Sequence, residues 1–393
     1  MEIYSDKEHC CGCGACYNVC PKQCISMEYD KEGFLYPVID EKICIKCNLC
    51  KKTCPYNLKN ENNDYIHDTY ACINKNRDIV KKSTSGGVFS AIAEEYCIEG
   101  SVIFGATLTE DIKVKHIYID NVNLLDKLRG SKYVQSEIGD TYKQTKDFLI
   151  EGKKVVFSGT PCQIAGLKSY LKREYENLLT IDLVCHGVPS PLVFNKYKEY
   201  MEKKFHSKII NINFRYKKNK RWDKHKVTID FENNKTYSKR GVDDSFEYGF
   251  YKNLCNRPSC HSCPFSKIPR VGDFTLGDFW GIEDVEPTFY DNEGTSLLLV
   301  NSKKAQMLIE KISTQLRIKK VDFNKTVEFN KHLITHSAYN PKRDIFMNDF
   351  VREDFEKVRK KYLKGRGIPR RIASVFLGKK ARNNVKRLIK KIK

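Results

Sequence analysis

Apolar and polar positions along this chain switch between two periods, and the switches set out the elements. Ile25-Ser-Met-Glu-Tyr and Gly33-Phe-Leu-Tyr-Pro-Val alternate as a small hairpin would. Leu58 to Asp64 is polar throughout and reads as a linker. From about Tyr70 strands and helices take turns. Ser85-Gly-Gly opens a helical run to Tyr96, Val102 to Leu108 reads as a strand, and Lys115-His-Ile-Tyr-Ile as its partner. Tyr142 to Glu151 is helical and Lys153 to Gly159 is a buried strand ending in a glycine turn. A helix over 163–172, a strand over 179–185 and a helix over 191–204 follow. Such alternation favours a mainly parallel sheet with ligands gathered at the strand C-termini. Val227 to Phe231 and Thr236-Tyr237 flank a turn-rich Glu232-Asn-Asn-Lys and predict a hairpin. Thr275 to Gly281 and Thr295 to Val300 predict a second β-rich part.

The cysteines change this picture most. Cys10, Cys13, Cys16 and Cys20, followed by Pro21, read C-x2-C-x2-C-x3-C-P, and Cys44, Cys47, Cys50 and Cys54, followed by Pro55, repeat the spacing. This is the bacterial ferredoxin run for two [4Fe–4S] clusters, in which the fourth cysteine of each run serves the other cluster. The expected ligand sets are Cys10, Cys13, Cys16, Cys54 and Cys44, Cys47, Cys50, Cys20. Zinc knuckles and disulfides are the alternatives, but a zinc ribbon uses two separated C-x2-C pairs rather than a triplet and a distant fourth thiol. Cys11, Cys24, Cys72 and Cys97 fit no metal spacing, and Cys97 reads as core.

Composition bounds the rest. At 393 residues with 40% hydrophobic content the chain has room for two or three domains and a real core. The N-terminus lacks a basic region and an apolar stretch of the kind that directs export, so a cytoplasmic chain with reduced thiols is expected. No run approaches the roughly 18 apolar residues of a membrane span. Of the net charge of +21, 16 charges fall within 357–393, where no Asp or Glu occurs. There Val385, Leu388, Ile389 and Ile392 form a helical stripe among lysines and arginines. A basic amphipathic segment suits an anionic membrane surface, which would place the protein at the inner face of the membrane. A solvated tail is the alternative. Nucleic acid is not an expected partner, since no fold for reading it is visible.

Five phrases then point the same way: Ser83-Thr-Ser-Gly-Gly-Val-Phe-Ser, Arg129-Gly-Ser-Lys-Tyr-Val-Gln-Ser, Gly159-Thr-Pro-Cys-Gln-Ile-Ala-Gly, Asp182-Leu-Val-Cys-His-Gly-Val-Pro-Ser-Pro and Gly272-Asp-Phe-Thr-Leu-Gly-Asp-Phe-Trp-Gly. Together, over roughly 5–340, they resemble the coenzyme F-420 hydrogenase/dehydrogenase β-subunit family, in the version with an N-terminal dicluster ferredoxin. The resemblance implies an α/β fold (α+β overall), with a ferredoxin-like domain over 1–60 and a mixed α/β flavin domain over 61–345, and the charge and apolar stripe add a basic helical tail over 346–393. It implies an oxidoreductase that passes electrons between [4Fe–4S] clusters and a hydride carrier through FAD, with a ferredoxin or redox subunit as partner. A ferredoxin-dependent reductase of a sugar or lipid-linked envelope intermediate, and a relay subunit without its own substrate, are the other readings.

The resemblance also implies a third [4Fe–4S] site shared by Cys162, Cys185, Cys260 and Cys263, with Cys255 in reserve; zinc or inert buried thiols are the alternatives. No G-x-G-x-x-G occurs, so a Rossmann flavin site is not indicated. Ser85, Gly86 and Gly87 at a helix start suit a pyrophosphate, or are an ordinary cap. Lys132 is expected near a phosphate or the flavin N1/O2 edge. Tyr133 stacks or packs, and Gly159-Thr160 would carry flavin and Cys162 together. His186 could relay a proton, though a lone histidine after a strand is more often structural. Asp278 would stand behind the site. The catalytic residues are not legible.

Overall fold

A computed structural model of the chain describes residues 3–57, 68–97, 100–217 and 222–364. The small N-terminal hairpin forms where alternation placed it: β1 (Ile25–Tyr29) pairs antiparallel with β2 (Leu35–Ile39), Ile25 opposite Ile39. The linker expected over 58–64 lies outside the described residues.

The main body is an eight-stranded mixed sheet. Its strands are β3 (Asp68–Asn74), β4 (Val102–Leu108), β5 (Val114–Ile119), β6 (Val155–Gly159) and β7 (Leu178–Leu183). β11 (Phe274–Asp278), β12 (Ser296–Val300) and β13 (Leu316–Lys320) complete it. The order is β13-β3-β12-β11-β7-β6-β4-β5. The four central strands β11, β7, β6 and β4 run parallel, and antiparallel strands flank them. Thr275–Val300 therefore does not found a second β-rich part; β11 and β12 insert into the main sheet beside β7. The separate sheet is three-stranded, of β8 (Ile209–Tyr216), β9 (Lys226–Phe231) and β10 (Thr236–Arg240), the last two being the predicted hairpin.

Strand alternation distributes the core. Val155 and Phe157 face helices Thr141–Ile150 and Pro161–Leu171, while Val156 faces helix Val88–Tyr96. A further core joins the three-stranded sheet to helix Pro191–Phe205. Helices Arg343–Arg352 and Phe355–Tyr362 belong to that core: Phe346, Met347, Phe350, Phe355, Val358 and Leu363 are buried in it. Residues 346–364, expected as the start of a tail, are thus part of the body. The basic amphipathic stretch beyond them lies outside the described residues, and among the described residues no helix is long and apolar enough to cross a membrane.

The ferredoxin part is seated on helix Pro161–Leu171. Gly166 of that helix faces Cys13, and a Cβ there would lie 2.9 Å from the Cys13 Sγ. Glycine in a helix interior costs about 1 kcal/mol; here it lets a metal-run cysteine meet the helix. Ser169 Oγ donates to Thr53 O at 2.5 Å, and Asn18 Nδ2 to Gly139 O at 2.9 Å. Arg343 closes the far side on Glu32 at 2.6 Å.

Candidate functional site: three groups of thiols and the sheet edge beside them

The two cysteine runs fold across each other. Cys10, Cys13 and Cys16 line one hollow with Cys54. Cys44, Cys47 and Cys50 line the other with Cys20. Both hollows are partly open to solvent. Four thiols around each fit the donor chemistry of a [4Fe–4S] cluster, with every set drawn from both runs. The first hollow faces the α/β body and is the inner one. At the outer one, Cys47 is exposed. Each also contains a cysteine that the spacing left unassigned: Cys11 in the inner, and Cys24, whose Sγ is 3.3 Å from that of Cys20, in the outer.

A third group forms at the C-terminal ends of the parallel strands. Cys162 opens the helix after β6, and Cys185 follows β7. Cys260 and Cys263 arrive on the segment after helix Ser245–Tyr251. Burial, then the charges of Cys162 and Cys263, push the Cys185 thiol up to about 12. Burial followed by Cys185, Cys162 and Cys263 holds Cys260 well above its ordinary value, and burial then Cys162 raises Cys263. The four thiols are therefore within electrostatic reach of one another. Cys255 is placed elsewhere: it is fully buried in the apolar core with Phe250 and Leu254, and neither Cys162, Cys185, Cys260 nor Cys263 is among the influences on it.

The inner and third groups touch. Cys13 and Cys162 both act on the Cys11 thiol, and partly buried Cys162 and Cys263 pack against the buried cluster that contains Cys11 and Cys13. Thr160 Oγ1 lies 3.1 Å from Cys162 Sγ while its capping box with Gln163 fixes the helix start. Among the described residues no three His, Cys, Asp or Glu side chains converge as ligands of a single ion would.

The residues expected at a flavin make contacts within the protein. Ser85 Oγ donates to Thr295 O at 2.6 Å, and Gly86 N–H donates to Ser296 Oγ at 2.8 Å. A Cβ on Gly86 would stand 2.4 Å from Cys72 O, so glycine there is demanded by contact with β3 and β12. Gly87, at φ +81°, starts helix Val88–Tyr96. Lys132 Nζ donates to the carbonyls of Lys127, Leu128 and Arg129, closing the turn Val122–Lys127, and burial lowers it to about 7. Tyr133 packs on Phe214 and Phe250, and Gly159 lies against Gln163. The polar groups of Ser85, Gly86 and Lys132 are thus spent inside the protein.

Unspent donors lie nearby. Asp278 accepts from Arg215 Nη2 at 2.6 Å, and Arg215 lies over the ring of Trp280 at 5.6 Å. Trp280 is 40% exposed and packs tilted against Trp222, with ring centroids 4.7 Å apart. Arg215 Nε and Trp222 Nε1 are buried without a hydrogen-bond partner among the described residues. Lys217, by contrast, is spent as Lys132 is: it donates to Val80 O at 2.8 Å, to Ser85 O at 2.9 Å and to Glu293 O, and burial lowers it to about 7. His186 faces His332 at 2.7 Å; burial, then that neighbour, lowers it to about 4, so it is neutral at pH 7. Arg215, Lys217, Trp222 and Trp280 carry no motif, and hydrophobic periodicity does not mark a buried cation.

Four-thiol hollows beside a parallel sheet with an aromatic, cationic edge define an iron–sulfur protein of oxidoreductase type. The family described as the C terminus of the coenzyme F420 hydrogenase/dehydrogenase beta subunit matches residues 152–326, and the 4Fe-4S dicluster domain matches residues 9–58. Residues 152–326 are thus similar to the C terminus of the coenzyme F420 hydrogenase/dehydrogenase β subunit, and they follow an N-terminal 4Fe–4S dicluster domain. It is 42% identical over 57 residues to an uncharacterized ferredoxin of Methanocaldococcus jannaschii, covering 14% of this chain and 73% of that one. It is 29% identical over 195 residues to the coenzyme F420-dependent sulfite reductase of the same organism, covering 48% of this chain and 29% of the reductase. A chain in the F420-reducing [NiFe] hydrogenase complex from Methanosarcina barkeri aligns at 17% identity and a TM-score of 0.44, covering 76% of this chain and 91% of that one.

Proposed function

We propose that the protein is an iron–sulfur flavoprotein that passes electrons between three [4Fe–4S] clusters and a hydride carrier or organic substrate by way of FAD. The observation that supports this most is the contact of Cys11 with both Cys13 and Cys162, which joins the inner ferredoxin set to the thiols at the sheet edge. In this reading the ligand sets are Cys10, Cys13, Cys16, Cys54; Cys44, Cys47, Cys50, Cys20; and Cys162, Cys185, Cys260, Cys263. FAD, when bound, supplies the exchange between one-electron carriers and a two-electron hydride. Arg215, Trp222 and Trp280 would hold it, beside Thr160 and Cys162. Arg215 supplies positive charge, and Trp280 offers a ring face.

An electron-transfer protein would meet the outer set. Cys47, Ile43 and Ile45 are exposed there, with Lys42, Lys46, Lys51 and Lys52 around them. The location we propose is the cytoplasm, with contact to an anionic membrane surface through the basic C-terminal stretch.

Flavin content of anaerobically purified protein tests the reading. Full-length protein should carry FAD that bleaches on reduction, and Trp280→Ala should lose most of it while keeping its clusters, because the half-exposed ring is removed without opening the core. Gly86→Val is unsuitable, since it would collide with β3. Protein that never takes up FAD under anaerobic reconstitution would end the flavin reading.

A further inference from the structure

Arg257 is fully buried, at 0% exposure, three residues before Cys260. Its backbone N–H donates to Val188 O at 3.0 Å, which ties it to the loop carrying Cys185. From there its guanidinium crosses into the ferredoxin part. Nε donates to Cys10 O at 2.7 Å, and Nη2 donates to Leu35 O at 2.9 Å and to Cys10 Sγ at 3.7 Å. Nη1 donates to Gln135 Oε1 at 3.0 Å, and Gln135 Nε2 donates in turn to Cys11 O at 3.0 Å. The guanidinium lies over the Tyr36 ring at 4.2 Å.

None of these acceptors is a carboxylate. A buried guanidinium is costly without an opposite charge beside it. The ionisable groups facing Arg257 are Cys10, Tyr36, Cys11 and Cys260, with Cys10 foremost, and burial keeps Tyr36 a neutral phenol. A cluster held by four thiolates carries net negative charge, so the inner ligand set is itself the counter-charge this arginine lacks. Reduction by one electron adds a further negative charge. An N–H donor to a ligand sulfur and a buried cation both favour that reduced state and raise the potential.

We propose that Arg257 is the positioning residue that raises the reduction potential of the inner cluster, held by Cys10, Cys13, Cys16 and Cys54, and so draws electrons inward from the outer set. The outer set gives up one electron and the inner set takes it, with no bond made or broken. The proposal rests on the N-terminal ligand sets proposed above and needs neither flavin nor the third cluster.

EPR-monitored potentiometric titration of the full-length chain, prepared anaerobically, tests it. Cys47→Ser, which alters a ligand of the outer set, identifies the outer signal. Arg257→Gln should make the inner set at least about tenfold harder to reduce, a fall of about 59 mV for one electron, with the outer signal unmoved. Arg257→Lys keeps the charge and should restore most of the shift. The proposal is overturned by unmoved potentials in Arg257→Gln, by equal shifts of both signals, or by Lys behaving as Gln does. Loss of the inner cluster from both variants also overturns it, because a structural clamp would then explain the residue. Iron and sulfide analysis of wild type reads the ligand assignment separately: a wild type without the N-terminal clusters would refute that assignment instead.

Discussion

Two lysine ammonium groups sit inside this protein with carbonyls as their hydrogen-bond acceptors, and that leaves a signature in pH. Burial takes Lys217 from its ordinary 10.5 down to about 7, and does the same to Lys132. Between about pH 7 and 10.5 the unfolded chain binds a proton that the folded chain does not, so stability rises with pH across that window and falls as pH drops toward 7. Lys217→Met removes one such group. Urea midpoints measured under anaerobic conditions at several pH values from 7 to 10 should rise less steeply in the variant. Parallel curves for variant and wild type would mean that Lys217 keeps its proton when folded. None of this is legible in the sequence, where Lys217 stands in a run of basic residues that reads as solvated surface. Arg257 is hidden for the same reason: arginine is usually exposed, and it is tertiary contact with the Cys10 loop that buries it. Cysteine spacing, by contrast, is local. It makes the grouping of Cys54 with Cys10 and of Cys20 with Cys44 readable without any knowledge of the fold.

At the scale of elements, local patterns are legible and long-range ones are not. The strands β4, β6 and β7 and the helices between them follow from periodicity and caps, and their parallel pairing from short crossovers. The place of β11 and β12 does not, because strand order depends on which edge of the sheet remains open when they arrive. The C-terminal boundary differs from the sequence expectation for another reason. The positive charges of 357–364 mask the apolar positions Phe355, Val358 and Leu363, which helix Phe355–Tyr362 and its end turn into the core beside Phe346 and Phe350. Phe355→Ala should cost about 3–5 kcal/mol, read as a lower thermal midpoint. Truncation after residue 364 should leave the midpoint unchanged, whereas truncation after 354 should lower it sharply. Equal midpoints for the two truncations would contradict the packing of that helix.

For the whole molecule, the division of charge and the grouping of thiols define separate questions. Residues 365–393 hold 11 basic and no acidic side chains. If they carry the protein to a membrane, full-length chain should co-sediment with vesicles containing anionic lipid, less so as salt rises, since each Lys or Arg near the surface contributes about 1 kcal/mol. The chain ending at 364 should remain in the supernatant with its clusters intact. Equal sedimentation of the two would reject the membrane role. The central claim is that three sets of four thiols each hold a cluster and form one electron path. Iron and acid-labile sulfide per chain, measured on anaerobically prepared wild type, Cys260→Ser and Cys255→Ser, test it most directly. The account predicts about 12 of each in wild type and in Cys255→Ser, and about 8 in Cys260→Ser, as three or two cubanes require. About 8 in all three proteins would contradict it.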